Sequence, residues 1–282
     1  MKVLDGHELA GFVKERQAHQ VAALSKKPKL AILRDSNNPV IMKYVNLKIK
    51  YGEDIGVIVE DICVSNSSRK SETWQGEEGS VRPVATSTSD ALREEIIRAN
   101  NNPSINGIII QLPITEKEKT DELCNLIAPE KDVDGLGEHA KFDSATATAI
   151  NWLLAGYDIN LKDKKIAIVG RGKLVGAPLY RMFTNSNYDV ELFHKGSDLT
   201  KLKHYDIIIT ATGVPGLISN DFISPGAVIV DAGTASENGR LKGDVADDVR
   251  TRTDLTAITP TTGGVGPLTI AALFEHVIIN VI

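Results

Sequence analysis

Hydrophobic and polar positions change period repeatedly along this chain, and each change marks an element. In LAGFVKERQAHQVAAL (9–24) and VIMKYVNLKIKYGEDIG (40–56) apolar residues recur every three to four positions, which predicts helices. Between and after them, KLAILR and VIVEDICV are short β-branched runs and read as strands. SDALREEIIRANNN reads as a helix capped by Ser89 or Asp90, GIIIQLP as a buried strand stopped by Pro113, and TEKEKTDELCNLIAP as another helix. The second half repeats the rhythm: KKIAIVG, DVELFH, YDIIITATG, GAVIVDAG and LTAITP read as strands separated by helical or loop segments. PLTIAALFEHVIINVI closes the chain as an apolar helix. Alternation of this kind is the signature of a parallel α/β sheet. The expected fold class is α/β, with a domain boundary near residues 142–150. The stretch 65–83, SNSSRKSETWQGEEGSVRP, is rich in Ser, Glu and Gly and reads as a long exposed loop.

Composition narrows the picture. With 282 residues, 42% apolar and 24% charged, the chain can bury the cores of one large or two ordinary domains. A net charge of −5 supplies no basic footprint, so neither nucleic acid nor membrane is an expected partner. No apolar run approaches the roughly 18 residues of a membrane helix. The first twenty residues read as a turn entering an amphipathic helix, without the apolar centre of a signal peptide. Cys63 and Cys124 lack CxxC spacing, so no disulfide framework is expected and a reducing, cytoplasmic location is the default. Six histidines without metal-ligand spacing support no metal site.

Candidate chemistry begins at IAIVGRGKLVGAPL (166–179), where an apolar strand meets Gly170, Gly172 and Gly176. Backbone N–H groups approach a pyrophosphate closely where side chains are absent, and a following helix N-terminus favours the negative charge. The spacing, G-x-G-x-x-x-G, is one residue longer than the usual dinucleotide fingerprint, and a purely structural turn also collects glycines. The next strand bears on the choice. An NAD site usually ends that strand in a carboxylate that holds the ribose 2′-OH. Here it ends in His194, followed by Lys195, Gly196 and Ser197, and Arg171 lies inside the glycine turn. Cations and a hydroxyl suit a 2′-phosphate, so the loop reads as a seat for NADP.

A second constellation is weaker residue by residue. Tyr44 and Lys48, four apart, share a helix face, as many such pairs do. Gln111 ends an apolar strand where α/β folds open onto a ligand. KDVDG places Asp132 and Asp134 in a turn, where aspartates are usually structural. TPTTGGVGP (259–267) is a second glycine loop between a strand and a helix.

Taken in order, LDG, YVNLK, IIIQLP, PEKDVDG, VGRGKLVGAP and TGGVGPLT resemble the bifunctional methylenetetrahydrofolate dehydrogenase/methenyltetrahydrofolate cyclohydrolase family along essentially the whole chain. The resemblance implies two α/β lobes with a folate cleft between them. Residues 1–142, completed by a C-terminal helix at 267–282, would form the folate-binding catalytic domain, and 143–266 a Rossmann-type NADP domain. It also implies a homodimer acting on tetrahydrofolate derivatives. Tyr44 would stack on the folate, Lys48 would be the essential cyclohydrolase group, and Gln111 would hydrogen-bond and tune it. Asp134 would anchor the pterin, with Gly263, Gly264, Val265, Gly266 and Pro267 bordering the site. Gly170, Arg171, Gly172, Val175, Gly176, His194, Lys195, Ser197, Thr212 and Gly213 would hold NADP. The implied function is NADP-dependent oxidation of 5,10-methylenetetrahydrofolate, then hydrolysis of the methenyl product to 10-formyltetrahydrofolate.

Departures from the family pattern cluster around the implied folate site. Val40 and Ile41 replace a small residue and serine, Ser144, Ala145 and Ala147 replace a PCTP turn, Gly172 stands where serine is common, and Thr261–Thr262 interrupt TPVPGG. The 65–83 stretch reads as an insertion. A member with one activity, or a non-catalytic folate- or nucleotide-binding relative, is the alternative. A mere binder has no need of Lys48 beside Gln111 and Asp134.

Overall fold

The computed structural model describes residues 1–64, 87–237 and 240–281. The expected loop at 65–83 lies outside the described residues. In chain order the strands and α-helices are β1 (Lys2–Val3), α1 (Gly6–Ala22), β2 (Lys29–Arg34), α2 (Pro39–Ile55), β3 (Ile58–Cys63), α3 (Thr88–Asn100), β4 (Gly107–Ile110) and α4 (Thr120–Cys124). There follow α5 (Ala145–Gly156), β5 (Lys165–Val169), α6 (Gly176–Asn185), β6 (Asp189–Phe193), β7 (Ile207–Thr210) and β8 (Val228–Asp231). The last are β9 (Ala235–Glu237), β10 (Arg240–Lys242), α7 (Asp247–Arg250), β11 (Ala257–Ile258) and α8 (Val265–Ile279). They group into two compact units: Gln17–Phe142 with Phe274–Ile282, and Met1–Arg16 with Asp143–Leu273.

The Gln17–Phe142 unit carries a three-stranded parallel sheet in the order β3-β2-β4. The chain runs from β2 to one side, then crosses to the other, so the strand order reverses between β2 and β4. Ligands of open α/β sheets bind outside the carboxyl ends of strands at such a point. Ile108, Ile109 and Ile110 are almost fully buried, which explains the unbroken apolar run of a strand covered on both faces. α2 starts at Asn38, whose side chain accepts from the Val40 N–H, with Pro39 in the first turn. It ends at Gly56, whose left-handed backbone (φ 85°) favours glycine. α3 is capped by Ser87, not by Ser89 or Asp90 as expected, because Ser89 and Thr88 are engaged by the Glu116 carboxylate.

The other unit carries a six-stranded sheet in the order β1-β11-β8-β7-β5-β6, parallel throughout. Here the order reverses between β5 and β7. The first sixteen residues group with this unit, which differs from the expected assignment of 1–142 to one domain. The reason is local pairing: β1 extends the sheet beside β11, and a Cβ on Gly6 would lie 1.6 Å from the Gly264 carbonyl oxygen. Leu4 is fully buried. The antiparallel hairpin β9–β10 was not anticipated, although Asn238-Gly239 is a hairpin signal in the sequence. Ser144, in place of the proline of the family's turn, caps α5 by accepting from the Ala147 N–H and donates to the Leu174 carbonyl at 2.9 Å. The lost proline is thus replaced by a capping hydroxyl.

Candidate active site

Lys48 lies in the third turn of α2, and Tyr44 one turn earlier; both are half-buried. α2 turns Ile41, Val45, Gly52 and Ile55 inward, so Tyr44 and Lys48 sit beside the buried stripe. Gln111 follows β4 at the strand-order reversal, tied to β2 by its N–H to the Leu33 carbonyl. Its side-chain Nε2 donates to the Leu112 carbonyl at 3.1 Å, which turns Oε1 toward α2. Lys48 Nζ donates to that Oε1 at 2.8 Å. Residues 63 positions apart therefore meet at the carboxyl edge of the sheet.

Asp134 is presented by a turn that Asp132 builds. The Asp132 carboxylate, 1% exposed, accepts the N–H groups of Gly135, Leu136 and Gly137 at 2.7–3.1 Å. The turn is pinned to β4 by the Ile108 N–H to the Lys131 carbonyl. Lys131 Nζ reaches three carbonyls at the C-terminal end of α3, where a cation is favoured by the helix dipole. His276 Nδ1 lies 2.8 Å from the Val133 carbonyl. A carbonyl has no proton to give, so Nδ1 carries it, and this buried histidine is structural.

Electrostatics couple the cluster. Burial lowers the Lys48 amine below its ordinary value, opposed by the Asp134 charge. Burial raises the Asp134 carboxyl to about 6, with Lys48 pulling it down and Asp132 pushing it up. A partly accessible amine, shifted toward its neutral form and held by a carboxamide, can take and return a proton more readily than an ordinary lysine.

In the other unit the glycine turn follows β5, beside the end of β7. Gly170 has φ 105°, and a Cβ there would lie 2.5 Å from the Ala211 carbonyl oxygen. A Cβ at Gly176 would lie 1.8 Å from the Gly170 carbonyl oxygen. Both glycines are demanded by the fold. Gly172 is not: a Cβ there would meet nothing within 4 Å, so serine at this position is sterically free. α6 starts at Gly176 without a side-chain cap; the Ala177 N–H donates to the Gly172 carbonyl at 3.1 Å and Pro178 has no N–H, so the Gly176 backbone is what the helix start offers a phosphate. Val175 immediately precedes it. The next strand ends in a tight turn, His194–Ser197, closed by the His194 N–H to Ser197 Oγ at 3.0 Å. Because β6 pairs with β5, exposed Arg171 and Lys195 follow adjacent strands at the same sheet edge. Thr212 and Gly213 (φ 70°) leave the end of β7. Anion-binding backbone, two cations and a hydroxyl fit a phosphorylated dinucleotide.

Gly263 and Gly264 lead into α8, whose first turn holds Val265, Gly266 and Pro267. The Gly6 N–H donates to the Gly263 carbonyl at 2.8 Å, and a Cβ on Gly263 would strike the His7 ring at 2.4 Å. The LDG and TGG motifs, far apart in sequence, thus require each other's glycines.

A Rossmann-type unit and a second parallel α/β unit bearing a lysine–carboxamide–carboxylate cluster define a nucleotide-dependent α/β enzyme. Comparison with known proteins gives the particular family. Residues 4–134 match the family described as tetrahydrofolate dehydrogenase/cyclohydrolase, catalytic domain, and residues 144–281 match its NAD(P)-binding domain. The chain belongs to the tetrahydrofolate dehydrogenase/cyclohydrolase family. It is 34% identical to the bifunctional protein FolD of Staphylococcus carnosus, across 99% of this chain and 96% of that one. The crystal structure of the bifunctional FolD enzyme from Campylobacter jejuni is similar with TM-score 0.87 and 28% identity, covering 100% of this chain and 98% of that one. The Trypanosoma brucei enzyme, solved with NADP and an inhibitor, is similar with TM-score 0.85 and 26% identity, covering 99% and 96%.

Proposed function

We propose that this protein oxidises 5,10-methylenetetrahydrofolate with NADP and hydrolyses the methenyl product to 10-formyltetrahydrofolate. The observation that carries the reading is the Lys48–Gln111 hydrogen bond at the strand-order reversal, in a chain that matches both family domains. Tyr44 offers a ring for the folate and Asp134 an acceptor for pterin N–H groups. NADP, held by the Gly170–Gly176 turn with Arg171, Lys195 and Ser197, would supply the acceptor for a hydride from the methylene carbon, with the folate nitrogen lone pair as the driving group. The protein's share of that step is alignment. Water addition to the methenyl carbon and ring opening require proton transfer, which Lys48 supplies under the control of Gln111. The protein acts in the cytoplasm as a homodimer; Cys63 and Cys124, neither of them in a disulfide, support a reducing compartment. Absorbance during turnover of methylenetetrahydrofolate, first with NADP and then with NAD, tests the reading.

Two expectations follow. Arg171→Ala or Lys195→Ala raises the KM for NADP by about tenfold, the scale of a lost charge-assisted contact, and leaves NAD kinetics nearly unchanged. Equal use of NADP and NAD by the unmodified enzyme contradicts the phosphate seat. The second concerns pH. An Asp134 carboxyl raised to about 6 is an anionic acceptor above that value and is lost as pH falls through it. The KM for methylenetetrahydrofolate accordingly rises below pH 6, and Asp134→Asn removes that inflection. A pH profile that keeps the same inflection in the variant assigns it to another group.

A further inference from the structure

Beneath the nucleotide-binding edge, on residues given no role so far, a buried carboxylate ties two strand-end loops together. We propose that Asp244 is a positioning residue that holds the Thr212–Gly213 turn in its nucleotide-binding shape. The inference rests on the assignment of that turn to NADP.

Asp244 is 1% exposed. Its Oδ2 accepts from the Thr210 hydroxyl at 2.7 Å and from the Thr212 N–H at 2.6 Å. Thr210 is the last residue of β7 and Thr212 lies two residues beyond it, so the carboxylate grips the chain where it leaves the sheet. The turn beyond is wound tightly: Thr212 Oγ1 accepts from the Val214 N–H at 3.1 Å, and Gly213 takes φ 70°. With Thr212 anchored, the orientation of the Gly213 peptide is determined by the turn.

Asp244 is itself anchored. Its N–H donates to Asp231 Oδ1 at 3.0 Å, and its carbonyl accepts from the Ile218 N–H at 2.9 Å. Asp231, ending β8, also accepts the Gly233 and Val245 N–H groups and the Arg250 guanidinium. Side chains are excluded around the pair. A Cβ on Gly233 would lie 2.1 Å from Asp244 Oδ1, and one on Gly243 1.9 Å from Asp231 Oδ2. The linkage therefore runs from β8 through Asp231 and Asp244 to Thr212. Packing alone does not explain a carboxylate here. Among the described residues Asp244 Oδ1 has no hydrogen-bond partner, and the charge of Asp244 is felt by buried Asp231, an arrangement that costs stability. Two convergent donors on Oδ2 are what the carboxylate provides in return.

The test uses the intact enzyme and its two reactions, because methenyl hydrolysis needs no nucleotide and reports on the fold. Asp244→Ala is expected to raise the KM for NADP about tenfold, the effect of losing hydrogen bonds to a charged group, with kcat at saturating NADP and methenyl hydrolysis nearly unchanged. Asp244→Asn, whose carbonyl oxygen can accept both bonds, restores the KM to within about threefold. If Asp244→Ala yields no soluble protein, Thr210→Val carries the test and is expected to raise the NADP KM several-fold. An unchanged NADP KM in the soluble variant, or parallel loss of both reactions, overturns the proposal. Arg171→Ala separates the two possible failures. If it raises the NADP KM while Asp244→Ala does not, the positioning role alone is wrong; if neither does, the nucleotide assignment is wrong.

Discussion

Lys48→Met is expected to abolish conversion of methenyl- to 10-formyltetrahydrofolate while NADP-dependent oxidation of the methylene compound stays measurable. Positioned proton transfer is worth about 10²–10⁴ in rate, and the Lys48 amine is the group placed to supply it. Its hydrogen bond to Gln111 aims it, and burial biases it toward the neutral form that can accept a proton. Methionine keeps the length and apolar stem of lysine, so α2 and its buried stripe should survive. Gln111 Oε1 loses its donor, a cost of roughly 1–3 kcal/mol in stability if water does not replace it. The hydride step needs alignment and not a base, so it is spared. Stopped-flow loss of methenyl absorbance, set against NADPH formation, separates the two reactions. Parallel loss of both would show Lys48 acting in substrate binding or folding instead. The unmodified protein, which carries Val40 and Ile41 about two turns before Lys48, is the necessary reference. Failure to hydrolyse the methenyl compound above the uncatalysed rate would leave a single-activity dehydrogenase.

The second large effect is expected from Gly176→Ala. The new methyl carbon would lie 1.8 Å from the Gly170 carbonyl oxygen, 2.7 Å from its carbon and 3.2 Å from the Arg171 Cα. All three are backbone atoms of the turn itself, so no side-chain rotation relieves the clash and the turn must open. Overpacking of this kind costs about 1–3 kcal/mol or more, concentrated in the turn proposed to hold the nucleotide phosphates. NADP-dependent turnover at fixed cofactor should fall by roughly two orders of magnitude, mainly through KM, consistent with loss of several phosphate contacts. Methenyl hydrolysis, carried by residues of the Gln17–Phe142 unit, should remain. Gly172→Ala is the matched control: its methyl meets no atom within 4 Å, and near-normal NADP kinetics are expected. A Gly176→Ala enzyme with unaltered NADP KM would separate the turn from the cofactor.

Whatever depends on neighbouring residues was legible in the chain. Apolar runs marked β2, β4, β5, β7 and β8, because strands covered on both faces are apolar throughout. Helical periodicity placed Tyr44 and Lys48 on one face of α2, and Pro39 and Gly56 bounded that helix. The order and spacing of five motifs, from YVNLK to TGGVGPLT, pointed to the family. Choices among nearby candidates were less secure: Ser87 caps α3 because a distant carboxylate, Glu116, takes Ser89.

Tertiary structure decided which distant residues meet. Nothing local in KYVNLK says that its lysine will find Gln111, which depends on β4 pairing with β2 and on Leu112 occupying the other end of the carboxamide. Asp132 and Asp134 look alike in sequence, yet backbone N–H groups converge on the first while burial and Lys48 set the charge of the second. β1 joined the sheet of the nucleotide unit because its edge beside β11 was open to pairing. Asp244, between the strands GAVIVDAG and LTAITP, gave no signal, since its meaning lies in Thr210 and Thr212, more than thirty residues earlier. Local sequence determines backbone propensity and face. Hydrogen-bond partnership and desolvation, which give a lysine or an aspartate its chemistry, arise only once non-local strands have paired.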